Sequence, residues 1–176
     1  IQRFPAPLGL SANAALLLKM KKRPSVEIAQ KCGANIAKEA GKSNIHLFVT
    51  ANARAAHLSF GIALRRYNFN AYKTHNQTDY GSLHVYITNV SKTKSEYSDL
   101  SAVIDGVFFT RDLVNEPANI LTTTEFANRI QGLEELGLKI NVLEESDMEA
   151  LGMFSLLGVG MWSESPSKIV TMEWSG

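Results

Sequence analysis

The chain has 176 residues, of which 45% are hydrophobic and 20% charged, with 12 Gly, 5 Pro and a single Cys. A chain of this length can bury roughly 70% of its unfolded surface, which is enough for one ordinary domain or two small ones. This composition excludes a disordered chain, a collagen-like chain and a small secreted module held by disulfides. No apolar run approaches the roughly 18 residues of a membrane-spanning helix, so we expect no membrane partner.

Charge is divided unevenly along the chain, although the net charge is only +1. Residues 1–90 contain twelve Lys and Arg against three Asp and Glu, whereas residues 91–176 contain six against fourteen. The basic half includes the run KMKKR at residues 19–23, and such a run can neutralise a phosphate backbone and release its counterions. No aromatic interleaving or recognition motif accompanies the run, which favours a solvated loop over a nucleic-acid site.

The two ends of the sequence suggest a piece of a longer polypeptide. The chain begins with Ile1 rather than Met, and its last residues follow an apolar run that is typical of a strand. We therefore expect a fragment, and a targeting peptide would not be visible in it. The single Cys32 favours a reducing compartment.

Helical and strand patterns alternate in the first half. Apolar residues recur at helical spacing between Pro24, which suits a first helical turn, and Gly41, which suits a helix end. Apolar and polar residues then alternate from Leu83 to Ile87, as in a half-buried strand. The patterns predict strands at 14–19, 45–50 and 83–87, helices at 24–41 and 53–66, and a turn at 74–81. This order is typical of an α/β unit on a largely parallel sheet.

The second half begins another α/β unit. A polar stretch at 91–98 is interpreted as a junction, and a long helix follows until Pro117 ends or kinks it. Two capping boxes are predicted, Thr122 with Glu125 and Ser146 with Glu149. Between and after them we expect a helix ending at Gly137, strands at 138–142 and 168–174, and a short helix closed by Gly152. The predicted fold is therefore two α/β units with largely parallel sheets, joined by a long helix, and the second unit is incomplete.

The residue types that usually carry chemistry are here better explained as structural. The four histidines, at positions 46, 57, 75 and 84, show no ligand spacing, and Cys32 lies on the apolar face of its helix. Gly158 and Gly160 form only a GxG, which is too short for a dinucleotide site. The carboxylates of the second half fall on polar faces or in first turns of helices, where they stabilise the positive end of the helix dipole.

One segment differs from the rest, because it places a charged pair and two amides around a helix-ending proline. It runs from Arg111 to Asn119 and reads RDLVNEPAN. Its polar side chains are suited to satisfy the backbone groups exposed at a helix end, which indicates a structured hinge.

This segment resembles the leucyl (cytosol) aminopeptidase family, the peptidases classed as M17. The resemblance continues through ILT at 120–122 and EF at 125–126. Further matches are LGM at 151–153, LLGVG at 156–160, Pro166, and the strand at 168–174. A weaker match is YNFNAYKT at 67–74. Some positions depart from the family pattern, namely Thr123, Phe154, Met161, Trp162 and Ser167.

The resemblance implies a cytoplasmic homohexameric hydrolase that removes N-terminal residues from peptides with two divalent metals, Mn or Zn. Such metals polarise the scissile carbonyl and lower the pKa of a bridging water. The resemblance assigns residues 1–95 to an N-terminal α/β domain without its upstream part. Residues 96–121 are then a connector helix and junction, and residues 122–176 begin the catalytic α/β domain.

The family's metal ligands and catalytic lysine lie in segments resembling GKGxxxDxGG and NTDAEGR, and neither string occurs in this chain. We therefore assign no catalytic, cofactor-binding or metal residue to it, and we expect both metals to bind outside it. The chain alone is predicted to be inactive. Two alternatives remain, a nucleic-acid-binding accessory role of the basic half and a catalytically dead scaffold.

Overall fold

A computed structural model describes residues 1–50, 54–75 and 78–175. The predicted start of the second helix at Ala53 and the middle of the turn at 74–81 lie outside the described residues. The chain divides into two compact units, Ile1–Arg111 and Asp112–Gly176.

The described strands form three pairs, one parallel and two antiparallel. In the first unit β1 pairs antiparallel with β2, and β3 pairs parallel with β4, whereas in the second unit β5 pairs antiparallel with β6. The strands are β1 (Gln2–Pro5), β2 (Ala14–Leu17), β3 (Ile45–Phe48), β4 (Leu83–Tyr86), β5 (Lys139–Leu143) and β6 (Ile169–Glu173). The predicted α/β class is confirmed, but the prediction of largely parallel sheets is wrong, because β1–β2 and β5–β6 are antiparallel. The parallel pair, β3–β4, is connected through helix α2 (Ala55–Arg65), as a parallel crossover requires.

Six α-helices and one 3₁₀ helix accompany these strands in the described part of the chain. They are α1 (Val26–Ala40), α2 (Ala55–Arg65), α3 (Val90–Asn115), α4 (Thr123–Gln131), the 3₁₀ helix (Gly132–Leu136), α5 (Glu145–Ala150) and α6 (Phe154–Gly160). The core of the first unit consists of buried side chains from α1, β3 and α2, namely Ala29, Ile36, Ala37, Ile45, Leu58 and Ile62. In the second unit Ala127, Ile130 and Met148 are buried.

Helix α1 has the ends that its sequence predicts. The Ser25 hydroxyl accepts a hydrogen bond from the Ile28 amide at 3.3 Å, which satisfies one of the unpaired donors of the first turn. At the other end Gly41 adopts φ +57° and its amide donates to the Ala37 carbonyl at 3.0 Å. Because glycine adopts this region without strain, it ends the helix.

The close contact between α1 and α2 depends on two glycines. A Cβ atom at Gly33 would collide with the Leu58 carbonyl oxygen, and one at Gly61 would collide with the Gln30 carbonyl oxygen. Without side chains at these two positions the helix backbones approach each other directly. The α1–α2 pair is therefore the most closely packed part of the first unit.

Strands β3 and β4 present opposite faces of different character, as the alternation from Leu83 to Ile87 predicts. Leu83 and Val85 are half-buried and His84 and Tyr86 are exposed. The parallel register places His84 beside His46 and Tyr86 beside Phe48. The apolar face thus lies toward the core and an aromatic face lies toward solvent.

The polar stretch at 91–98 is predicted as a junction, and this prediction is wrong. Helix α3 begins at Val90 and includes the whole stretch. The Asn89 side chain accepts a hydrogen bond from the Lys92 amide at 3.2 Å, and this satisfies a donor of the first turn. A polar sequence forms a stable helix here because its first turn is capped and Ile104, further along, is buried.

The two predicted capping boxes have different outcomes. Thr122 caps α4 by accepting from the Glu125 amide at 3.3 Å, but the Glu125 carboxylate binds Arg129 instead of completing the box. The Ser146–Glu149 box is wrong, because the residue that caps α5 is Glu144 rather than Ser146. There the Asp147 carboxylate accepts from the Glu144 amide at 2.8 Å.

Arg66 connects the end of α2 to the starts of both parallel strands. Its guanidinium donates to the Gly81 carbonyl and to the Ser43 carbonyl, both at 2.6 Å, and lies 5.4 Å from the centre of the Tyr80 ring. Burial lowers the pKa of Arg66 from its ordinary value.

We expect Gly61→Ala to lower the free energy of unfolding by about 2 kcal/mol, because the added methyl group forces the helix backbones apart. Gly106→Ala is the matched control, since a Cβ there meets no atom within 4 Å and alanine favours an exposed helix by up to about 1 kcal/mol. Urea denaturation followed by circular dichroism measures both. Equal stability of the two variants would contradict the close contact.

We expect Arg66→Met to destabilise the first unit by about 2 kcal/mol, since two charge-assisted hydrogen bonds to carbonyl groups disappear. Arg65→Met, at the exposed neighbouring position, is expected to change stability by less than about 0.5 kcal/mol. Thermal unfolding of both variants would show the difference, and similar destabilisation at the two positions would contradict the role of Arg66.

Candidate functional site

The segment from Arg111 to Asn119 covers the end of α3 and the turn that follows it. Helix α3 ends at Asn115, two residues before Pro117, as expected from the missing proline amide. The amides of Ile120 and Leu121 both donate to the Pro117 carbonyl at 2.9 Å. The segment is therefore an ordered turn that leads directly to Thr122 and α4.

In the first unit, Arg111 binds the end of α2. Its Nη1 donates to the Leu64 carbonyl at 2.8 Å, and its guanidinium lies 5.3 Å from the centre of the Tyr67 ring. The Tyr67 ring also packs at a tilt against Phe108, with 5.2 Å between ring centres. Arg111 thus satisfies an open carbonyl of a helix end, as expected for a polar side chain at such a junction.

In the second unit, Glu116 belongs to a three-residue charge cluster with Arg129 and Glu125. Arg129 donates through Nη1 to Glu116 at 2.7 Å and through Nε to Glu125 at 2.8 Å. The Glu116 side chain is 6% exposed and that of Glu125 is 39% exposed. Hydrogen bonds from Arg129 to Glu125 and Glu116 raise the pKa of Arg129 further above its usual range, so the guanidinium stays charged.

Two histidines that are distant in the sequence lie side by side in the structure. His46 and His84 stack across β3 and β4 with ring centres 4.9 Å apart and an angle of 14° between the rings. His46 Nδ1 lies 3.0 Å from the Tyr86 hydroxyl, and His84 Nε2 lies 2.9 Å from the Ser82 hydroxyl. The alternation of the two strands is a signal for this contact, but only their register places these positions side by side.

The remaining histidines and the cysteine lie apart from one another. His57 Nε2 lies 3.2 Å from the Glu96 carboxylate, which connects α2 to α3, and His75 is exposed. Cys32 is partly buried and packs against the core of the first unit, as predicted.

Several carboxylates of the second unit bind protein groups. Glu144 binds Lys168, and the Glu145 carboxylate accepts from the Ser167 amide at 2.7 Å. Gly158 and Gly160 lie inside α6 rather than in a loop before a helix, so the GxG does not form a phosphate-binding turn. A Cβ at Gly160 would meet the Ser167 hydroxyl oxygen.

Among the open cavities on the described residues, one lies in the first unit and one in the second. The cavity of the first unit has a volume of about 470 Å³ and lies between α1, α2 and Arg111. The cavity of the second unit, of about 560 Å³, lies beside α5 and α6 and is lined by Glu145, Glu149 and Glu164.

Within residues 1–50, 54–75 and 78–175 we find no group of three or more His, Cys, Asp or Glu placed to hold a metal ion. The same part of the chain contains no helix that is both long and apolar enough to cross a bilayer.

Comparison with known protein families and sequences gives a consistent result. Residues 108–176 match the family described as "Cytosol aminopeptidase family, catalytic domain". A probable cytosol aminopeptidase of Dinoroseobacter shibae is 46% identical over 170 residues, and one of Cereibacter sphaeroides is 45% identical. In both cases the alignment covers 97% of this chain and 35% of the relative, so the chain spans about a third of the length of these relatives.

Solved structures show the same fold. A bottromycin maturation enzyme, BotP, in complex with Mn is 22% identical with a TM-score of 0.71, and the match covers 86% of this chain and 34% of BotP. A tomato leucine aminopeptidase variant is 18% identical with a TM-score of 0.72, covering 85% of this chain and 33% of the enzyme. A cytosol aminopeptidase from Coxiella burnetii gives 17% identity and a TM-score of 0.67, covering 86% and 32%.

We expect Glu116→Gln to lower the midpoint of thermal unfolding more than Glu125→Gln does. Both variants weaken a bond to Arg129, but Glu116 is far less exposed, so the removal of its charge deprives Arg129 of its less hydrated partner. The two variants carry the same charge change, and each is therefore the control for the other. A larger effect at Glu125 would show that the buried contact is not the important one.

Proposed function

Because this chain belongs to the cytosol aminopeptidase family, we propose that it is part of an aminopeptidase that hydrolyses N-terminal residues from peptides in the cytoplasm. The proposal is supported by the match of residues 108–176 to the family's catalytic domain and by relatives aligned over 97% of the chain. It is a proposal for the whole protein, because the chain spans about a third of those relatives.

The segment from Arg111 to Asn119 carries the proposal most directly. It is the most specific match to the family pattern. Arg111 binds the Leu64 carbonyl, and Glu116 binds Arg129. These contacts hold helix ends in place. We therefore propose that the segment is a scaffold that leads to the catalytic residues.

We also propose a division of labour along the chain. Residues 1–95 form an N-terminal α/β domain, residues 96–121 a connector helix and junction, and residues 122–176 the opening of the catalytic domain. The long helix α3 (Val90–Asn115) supports the assignment of a connector helix. We propose in addition that the whole protein assembles as a homohexamer.

A dinuclear metal centre does not fit the residues described in this chain. They offer no three-ligand cluster, and the carboxylates of Glu116, Glu144 and Glu145 already bind protein groups. We therefore propose that both metals, Mn or Zn, are bound by polypeptide outside this chain. A structural relative in complex with Mn supports manganese as one of the candidates.

The chain alone is expected to show no turnover of leucyl-p-nitroanilide with added Mn²⁺ or Zn²⁺, because we propose that the metal-binding residues of such a centre lie outside it. A complete relative assayed in parallel is the positive control, and circular dichroism verifies that the chain is folded. Metal-dependent turnover by the chain would contradict the placement of the site.

A second candidate function is supported by the basic run at residues 19–23. Its four cationic residues, Lys19, Lys21, Lys22 and Arg23, are all exposed in the loop after β2. We propose DNA binding as the alternative role of this loop.

If this alternative is correct, binding of duplex DNA weakens steeply with salt, because each neutralised phosphate releases counterions. Replacing the four cations by Gln should then lower the slope of log K against log salt by about 0.9 for each phosphate that the loop no longer neutralises. Replacement of Lys92 and Lys94 is the control, and undetectable or salt-insensitive binding removes this alternative.

A further inference from the structure

The cavity of the first unit has an apolar floor built on the closely packed α1–α2 pair. Phe60 is 8% exposed and forms this floor together with Ala34, Leu64 and Tyr67. The cavity is an open depression of about 470 Å³ rather than an enclosed pocket. Because Gly33 and Gly61 fix the distance between the helices, the floor is preformed.

Three cationic side chains surround this floor. They come from three different helices, Lys31 from α1, Arg65 from the last turn of α2, and Arg111 from α3. Among the described residues that line the cavity there is no Asp or Glu. The lining therefore carries an excess of cationic side chains, which favours an anion over a cation.

The three cations differ in their contacts with other groups of the protein. Arg111 is fixed by the Leu64 carbonyl and the Tyr67 ring, so it contributes charge at a fixed position. Lys31 pairs with Glu27 at 2.6 Å on the exposed surface of α1. In the described part of the chain no ion pair holds Arg65, and its long side chain is exposed.

We propose that this cavity binds a small amphipathic carboxylate, with an apolar body against Phe60 and Leu64 and an anionic head group at Arg65 and Lys31. The apolar floor disfavours a bare phosphate, which would leave it uncovered. The three cations disfavour an amine or a zwitterionic amino acid, whose ammonium group they repel. The site is independent of the proposed peptidase activity.

Glu27 allows a prediction in which a substitution tightens binding of the ligand. Its carboxylate neutralises Lys31 and competes with a bound anion for the same ammonium group. Removing the Glu27 charge should therefore tighten binding, whereas removing a cation should weaken it. A structural role of these exposed side chains would produce neither effect on a ligand.

The test is calorimetric titration of the chain with 4-phenylbutyrate and with 4-phenylbutylamine, which share an apolar body and differ in charge. We expect saturable binding of the carboxylate with a Kd below about 1 mM and no measurable binding of the amine. Arg65→Gln should weaken the carboxylate about five-fold, the scale of one exposed ion pair, and Glu27→Gln should strengthen it about two-fold. Amide shifts in NMR spectra should be confined to residues around Phe60 and Gly61.

Lys38→Gln is the matched control, because Lys38 is an exposed cation of α1 that does not line the cavity. It should leave affinity unchanged although it alters the net charge as Arg65→Gln does. Absence of carboxylate binding, equal binding of the amine, equal weakening in the Lys38 variant, or amide shifts in another part of the chain would each overturn the proposal.

Discussion

The direct backbone contact between α1 and α2 determines the arrangement of the first unit. Gly33 and Gly61 allow each helix to approach a carbonyl oxygen of the other, at Leu58 and Gln30. This approach brings Ala29, Ile36 and Ile62 into one core and places β3 against it. It also fixes the floor of the cationic cavity, so one steric requirement underlies both the packing and the candidate ligand site.

The second unit depends instead on charge neutralisation near a helix end. Arg129 binds two carboxylates from different segments, Glu116 from the turn after α3 and Glu125 from the first turn of α4. A guanidinium is suited to this task because its planar donors form two directed bonds at once. With few fully buried side chains in the described part of this unit, such bonds define how the turn around Pro117 meets α4.

Local signals are sufficient for most helices and strands. Ser25 and Gly41 bound α1 in sequence and in structure, because caps act through neighbouring backbone groups. The sequence does not predict strand β1, because its residues are all exposed and its order comes from pairing with β2, which no local pattern encodes. Helix α6 is not predicted either, because the two glycines within its seven residues disfavour a helix.

The family can be identified from the segment at 111–119, but the contacts that this segment makes cannot be predicted from its sequence. Arg111 meets Leu64 across 47 positions of sequence, and His46 meets His84 on the neighbouring strand, and such contacts are set by tertiary packing. The Ser146–Glu149 box fails for a different reason. Carboxylates also cap helices, and at α5 the Glu144–Asp147 pair does so ahead of the hydroxyl that the pattern suggests.

The pairing of β3 with β4 has a practical consequence for work with this chain. In the described residues the pair has no third strand, so each strand has one edge without a strand partner. Phe48, on the aromatic face of the same pair, is 74% exposed. A strand edge without a partner can pair with another chain, so dilute solutions or a charged side chain at position 48 would reduce self-association of this chain.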